Sequence, residues 1–372
     1  MKVTSTKAVL VIVTCIMLIV ISNTPVRSFS STLAQSWQQV MLGVSSESGN
    51  SRYATATEPL NLTEAPIDDD LVIKGYRADS ARNHSVNNYW LIGDDGVIVI
   101  DAHWRLSEAE RALKHLRETT DKSIRAILIT HGHTDHFGGL PVFVEAAGKN
   151  VNVYSSKGTL RSMKNDELGF IANRQEDFGD DFPKEIPIPN QIIKEDVAEL
   201  EIAGIFIEAR TFRFNEALET TVFYVPEQKA LFVGDLVNGE TTPIFYQGGI
   251  DPWLDQLKQL KDRFPEAKTL YPGHGQSGSA QEMIDAEIAY LTTFHDLISQ
   301  ALLDDSTVSN EERQQIKKVI NDRFSTWRTS AGITTRDELI EHNIDWTLRG
   351  WRIQDSDTAN PTNPSEFLPS NQ

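Results

Sequence analysis

Residues 126–139 read Ala-Ile-Leu-Ile-Thr-His-Gly-His-Thr-Asp-His-Phe-Gly-Gly, and no other stretch restricts the fold as much. Ala126–Ile129 is a short continuous apolar run, the mark of a strand buried on both faces. His131, His133, Asp135 and His136 follow within six residues. Core packing has no use for four such groups at a strand end. Imidazole and carboxylate are instead good ligands for zinc and its neighbours, and the glycines let the backbone curl around a centre. The chain must therefore build a sheet that is covered on both sides and whose strand ends open into a cleft.

Two later segments match the first. Leu231–Leu236 is another apolar run, closing in Gly234-Asp235, and Tyr271–Gly275 sets His274 between glycines. All three put metal-binding groups at strand ends, where ligands of α/β folds collect. Further strands are expected at Leu71–Tyr76, Tyr89–Ile92, Val97–Ile100, Val151–Tyr154, Ile202–Ala209, Thr221–Val225 and Thr269–Tyr271. Helices are expected at Ser107–Arg117, Gly139–Ala147 and Pro252–Arg263, and this alternation means a layered α/β fold. The acidic stretch Asn165–Asp181 reads as a surface loop beside the cleft. From Ala280 to Trp351 the pattern is helical, in about three helices. Their apolar face, with Trp327, Trp346, Trp351, Leu339, Ile340 and Ile344, reads as core or as a homodimer contact, and the segment can cap the site.

Charge narrows the partners. Lys and Arg number 35 against 53 Asp and Glu, a net 35 − 53 = −18. Such a chain repels phosphate backbones, so a small-molecule substrate is expected and a nucleic acid is not. The single cysteine, Cys15, excludes an internal disulfide and a Cys-rich zinc site, so His, Asp and Glu must hold any metal. Cys15 lies in the uncharged run Ala8–Ile21, which follows Lys2 and Lys7 and is broken by Asn23, Pro25 and Arg27. That is the form of a secretory signal peptide over residues 1–27, short for a membrane span of about 20 residues. Export is therefore expected (periplasmic, extracellular or secretory), with a membrane anchor if the segment stays uncleaved. Residues 28–69 read as a polar linker or extended arm and residues 355–372 as a loose tail.

The set H-x-H-x-D-H, then F-x-G-D, then P-G-H-G, in this order and spacing, resembles the metallo-β-lactamase superfamily of hydrolases. Asp101, at the end of Val97–Ile100, matches that family's first motif, a structural Asp near the metal loop. The resemblance covers about Leu71 to Gly278. It implies a four-layer αββα sandwich over residues 70–278, with residues 279–354 as a C-terminal helical extension. It also implies a first metal on His131 and His133, a second on Asp135, His136 and His274, and Asp235 bridging the two. Asp135 or Asp235 would take or pass on the proton of the attacking water. Two zinc ions are implied, with manganese or iron as alternatives.

One position departs from the family, which supplies a third His to the first metal from a loop before the Gly-Asp strand. Here that stretch, Arg210–Thr221, contains no His. Either a carboxylate replaces it, Glu216 or Glu219, or the first ion is weakly held. Glu216 sits at the better distance before the next strand, and the alkylsulfatase branch of the superfamily places a Glu at this point. His103 reads as a surface-loop residue, with a supporting place in the cleft as the alternative; His84, His115, His295 and His342 fall outside the site. A bound dication lowers the pKa of water toward neutrality and polarises the bond to be cut. The implied function is an exported metal-dependent hydrolase of an ester-type small molecule: a sulfuric ester, carboxylic ester or lactone. A β-lactam hydrolase and a non-catalytic metal-binding or scaffold protein are the rival readings.

Overall fold

A computed structural model describes residues 55–56, 72–80 and 85–356, apart from 149, 167–168, 195, 248, 304–306 and 330–334. The expected signal segment, most of the arm and nearly all of the tail lie outside the described residues.

Strands β1 (Thr55–Ala56), β2 (Val72–Ser80), β3 (Ser85–Gly93), β4 (Gly96–Ile100), β5 (Ile124–Leu128), β6 (Asn152–Ser156) and β7 (Gln191–Ile193) form one sheet, in that order. Strands β8 (Val197–Ile202), β9 (Ile205–Arg213), β10 (Glu219–Val225), β11 (Ala230–Gly234), β12 (Thr269–Pro272) and β13 (Gly278–Ser279) form the second, ordered β13-β12-β11-β10-β9-β8. The neighbours from β4 to β7 are parallel, as are β11 and β12. The short β1 pairs antiparallel with β2, so part of the expected arm is a sheet edge.

The apolar runs account for the layers. Successive side chains of a strand face opposite sides, so an unbroken apolar strand feeds two cores at once. In β4, Ile98 and Ile100 enter the core between the sheets, whereas Val97 and Val99 enter the outer one. In β11, Ala230 and Phe232 face inward while Leu231 and Val233 face the helices beyond. The helices Leu106–Thr119 and Leu140–Ala147 cover the first sheet; Ile250–Arg263 and the three C-terminal helices, Ala280–Ala301, Asn310–Arg323 and Arg336–Ser356, cover the second. The result is the αββα sandwich with its helical extension. Trp327, Leu339, Ile340 and Ile344 are buried within the chain's own outer core. Among the described residues, no helix is long and apolar enough to cross a membrane.

The acidic stretch is not a loop. It contains the helix Phe170–Phe178 and a following single 3-10 turn, Gly179–Asp181. Asp166 caps that helix by accepting from Ile171 N at 2.9 Å and Ala172 N at 3.1 Å, and Arg174 is buried with its guanidinium over Trp104. The acidic residues are its outer side, which hid the helix in a reading by composition.

The two sheets are stitched together where β5, β11 and β12 end. Thr221 N donates to Thr130 O at 2.8 Å, and His131 bridges to Thr220. From the first sheet, Asn87 Nδ2 donates to Pro272 O and Gly275 O, both at 2.9 Å, and Tyr89 Oη donates to Pro272 O at 2.7 Å. These bonds fix the loops after the three motif strands relative to one another.

Candidate metal centre

The ends of β5, β11 and β12 bring six of the expected residues together. His131, His133 and Asp235 form one group whose potential ligand atoms lie within 4.8 Å of one another; Asp135, His136 and His274 form another. Asp235 Oδ2 stands between them, 3.4 Å from His131 Nε2, 3.3 Å from His136 Nε2 and 3.1 Å from His274 Nε2. The close packing explains two glycines. A Cβ on Gly273 would lie 2.2 Å from Asp235 Oδ1, and Gly234 has φ +53° with Thr130 Oγ1 2.7 Å from where its Cβ would be.

Each imidazole is held by the nitrogen that faces away from the centre. Asp101 leaves β4 with φ 59°, a conformation Asp tolerates better than most residues, and its carboxylate sits beneath the metal loop. There it accepts from Thr130 N at 2.8 Å, from Thr130 Oγ1 at 2.8 Å and from His136 Nδ1 at 2.9 Å. Because the Thr130 hydroxyl donates to Asp101, it accepts from His131 Nδ1, 3.0 Å away. His274 Nδ1 donates to the Ser85 carbonyl. His133 Nε2 lies 3.2 Å from Gln247 Oε1 and 2.7 Å from Tyr246 Oη. The remaining nitrogens, Nε2 of His131, His136 and His274 and Nδ1 of His133, converge. His131 Nε2 and His133 Nδ1 are only 3.0 Å apart, and His136 Nε2 is buried with no hydrogen-bond partner among the described residues. Lone pairs aimed at a common point, with the opposite N–H groups anchored, fit a bound cation.

The charges agree. Burial opposes protonation of His136 and His274, but the Asp235 and Asp135 carboxylates, with Asp101 added for His136, hold both well above the ordinary imidazole value. Burial would raise Asp235, yet His274, His136 and His131 hold it well below the usual carboxylate range. A second proton on His136 or His274, which these carboxylates favour, would sit on the Nε2 face that a dication would take, so binding would have to displace it. His133 is pushed down to about 3 by burial and then by His131, which leaves it neutral.

The two carboxylates left open by the sequence now differ. Glu219 is committed elsewhere, to Arg213 Nε at 3.1 Å and Gly158 N at 2.7 Å. Glu216 is outside both groups of three but buried beside them, in the turn between β9 and β10. Its Oε2 accepts from Asn238 Nδ2 at 3.2 Å, and burial followed by the Asp235 charge pushes its carboxyl well above the usual range. His103 corrects an expectation. It is fully buried, not on a surface loop, packing edge-on to Tyr76 at 5.5 Å and pushed down to about 3 by burial, then by Arg111 and His136. The reason is the turn at Asp101 and His103 (φ 59° and 64°), which folds the chain back under the metal loop, where His103 O accepts from Gly139 N at 3.0 Å. His115, His295 and His342 pack on Trp90, Trp351 and Trp346, away from the six; His84 lies outside the described residues. Ser85, Tyr246 and Gln247 were missed, since a backbone carbonyl at the start of β3 and a phenol and an amide in a loop carry no pattern of their own.

Comparison with known proteins gives the same picture. The sequence profile described as the metallo-beta-lactamase superfamily matches residues 82–274, just over half of the chain. A linear primary-alkylsulfatase of a Pseudomonas strain is 25% identical over 222 residues, covering 51% of this chain and 42% of that protein. Metallo-beta-lactamase IND-1 of Chryseobacterium indologenes is 21% identical over 230 residues, covering 61% and 87%. The alkyl/aryl-sulfatase of Saccharomyces cerevisiae is 22% identical over 298 residues, covering 73% and 44%. The chain therefore spans less than half the length of either sulfatase. Among solved structures, the DIM-1 metallo-beta-lactamase superposes with a TM-score of 0.50 at 17% identity, over 64% of this chain and 99% of that one, a likeness of fold.

Proposed function

The chain belongs to the metallo-β-lactamase superfamily, a family of hydrolases, and from that membership we propose that it is a metal-dependent hydrolase of an ester-type small molecule. The observation that carries the reading is the convergence of six His and Asp side chains whose imidazoles are all anchored from behind. His131 and His133 would hold a first ion, Asp135, His136 and His274 a second, and Asp235 would join them. Divalent ions there, zinc for this donor set, supply Lewis acidity that activates water and polarises the scissile bond.

The chain's own residues do the rest. Asp101 orients His136 directly and His131 through Thr130. Asp235, 1% exposed, is a fixed strut between the two groups. Asp135 has 14% of its side chain exposed, so it is the carboxylate placed to accept a proton from incoming water. Glu216 fills the place of the family's third His; its burial beside Asp235 supports it, as does the engagement of Glu219 elsewhere.

For the substrate, the Glu at this place and the alkylsulfatase similarity support a sulfuric ester first, then a carboxylic ester or lactone. β-Lactam hydrolysis is the second reading, favoured by the match to most of the length of IND-1. Lys2, Lys7 and the apolar run Ala8–Ile21 support export. Purified protein with restored zinc, assayed on chromogenic sulfate, carboxylic-ester, lactone and cephalosporin substrates, tests the reading. Turnover of one of the first three that chelation abolishes is expected; turnover of the cephalosporin alone, or of none, would overturn it.

A further inference from the structure

The C-terminal helices follow the last metal-binding motif, yet one of them reaches the centre. Asn343, on the helix Arg336–Ser356, is fully buried and grips the loop after β11 at two points. Its Oδ1 accepts from Phe245 N at 3.1 Å, and its Nδ2 donates to Pro243 O at 2.8 Å. The next two loop residues are Tyr246 and Gln247, which meet His133 Nε2. The Tyr246 ring stacks on the His133 imidazole, with centroids 5.5 Å apart and planes at 27°, and Trp346 of the same helix packs against Tyr246 at 5.8 Å.

The other three imidazoles owe their orientation to the sandwich itself: His131 to Thr130, His136 to Asp101 and His274 to Ser85. His133 alone is oriented by a loop that the helical extension clamps. The side-chain oxygen of Gln247 can only accept, and Leu218 N at 3.1 Å fixes which way the amide faces; a proton on His133 Nε2 is the arrangement that satisfies it, with Tyr246 Oη, 2.7 Å away, as a second acceptor. A neutral imidazole with its proton on Nε2 keeps its lone pair on Nδ1, the atom 3.0 Å from His131 Nε2.

We propose that Asn343 is a positioning residue for the metal centre: by fixing Pro243–Phe245 it sets Gln247 and Tyr246 against His133 and so keeps the His133 Nδ1 lone pair aimed at the first ion. The inference rests on the reading of a metal at His131 and His133. It makes the helical extension part of the centre, not only cover for the second sheet.

The test uses the full chain, stripped of metal and titrated with zinc and, separately, with cobalt(II). Asn343→Leu is expected to weaken the first ion about 10- to 100-fold, the usual effect of removing a group that orients a ligand, while the second ion binds as before. The visible bands of cobalt at the first site should shift with it. Gln247→Leu should give the same selective loss, and Gln247→Glu, which keeps the acceptor, should restore it. Asn343→Asp keeps the acceptor for Phe245 N and loses the donor to Pro243 O, so a milder selective loss is expected, and it decides the matter if Asn343→Leu does not fold. Equal weakening of both ions, or parental binding by the Asn343 variants, would overturn the positioning role and leave the proposed function standing. A parent chain that bound no ion through His131 and His133 would instead refute the reading beneath it.

Discussion

Asp101→Asn keeps the shape of the side chain and removes its charge. Thr130 N–H can only donate, so the Asn oxygen must take the place of Oδ1, and its NH2 replaces Oδ2, which accepts from Thr130 Oγ1 and His136 Nδ1. The NH2 group cannot accept. To avoid two N–H groups facing each other, His136 must carry its proton on Nε2, the nitrogen 3.3 Å from Asp235 Oδ2 and 3.7 Å from Asp135 Oδ2. The Thr130 hydroxyl, now accepting from the amide, must turn its own proton toward His131 Nδ1. One substitution thus drives both imidazoles to the tautomer whose metal-facing nitrogen has no lone pair. Loss of such an orienting group costs about 10- to 100-fold in metal affinity, or about 1.4–2.7 kcal/mol. Leaving the N–H groups opposed would cost a similar 1–3 kcal/mol, so relaxing the geometry brings no escape. Asn tolerates the left-handed backbone at this position (φ 59°), so the fold should survive. Competitive zinc titration against a chelator reads the affinity, with circular dichroism as a check on folding. A folded variant that bound zinc as tightly as the parent would refute the tautomer argument.

Other expectations follow from the same geometry. Asp235→Asn should lose metal and activity together, because its Oδ2 serves both groups; a variant with full metal content would show that it joins nothing. Glu216→Gln should weaken the first ion selectively and Glu219→Gln should do little, by metal titration of each; equal effects would mean that the loop was misassigned. Zinc affinity should fall as pH is lowered, since binding must displace the protons that raised pKa values place on His136 and His274. Those raised values also stabilise the ion-free fold, fully below the ordinary imidazole pKa of about 6.5, with the contribution lost as pH rises through the folded values. Melting temperature in a chelator should therefore decline on going alkaline while the zinc-loaded protein holds; parallel curves would contradict the assignment.

The strand-end motifs were legible because their chemistry is local. A buried apolar run followed at once by imidazoles needs no knowledge of the rest of the chain, and three such runs name the sheet edge where they meet. Val97–Ile100 and the run beginning at Leu231 likewise declared strands with a core on each face. What stayed hidden depends on partners distant in sequence. His103 looked like a loop residue because nothing near it shows that the backbone turns it inward. The helix Phe170–Phe178 was masked by its acidic outer side. Tyr246 and Gln247 acquire their role only when Asn343, about a hundred residues later, clamps their loop onto His133.

That six side chains hold divalent ions is tested most directly by counting those ions. Elemental analysis of the full chain after mild dialysis, followed by zinc titration of the stripped protein, should give about two ions per chain, with the second site, on Asp135, His136 and His274, the tighter. Stability should fall when a chelator removes them. A protein that carried no ion, took up none on titration and melted unchanged in the chelator would contradict the account.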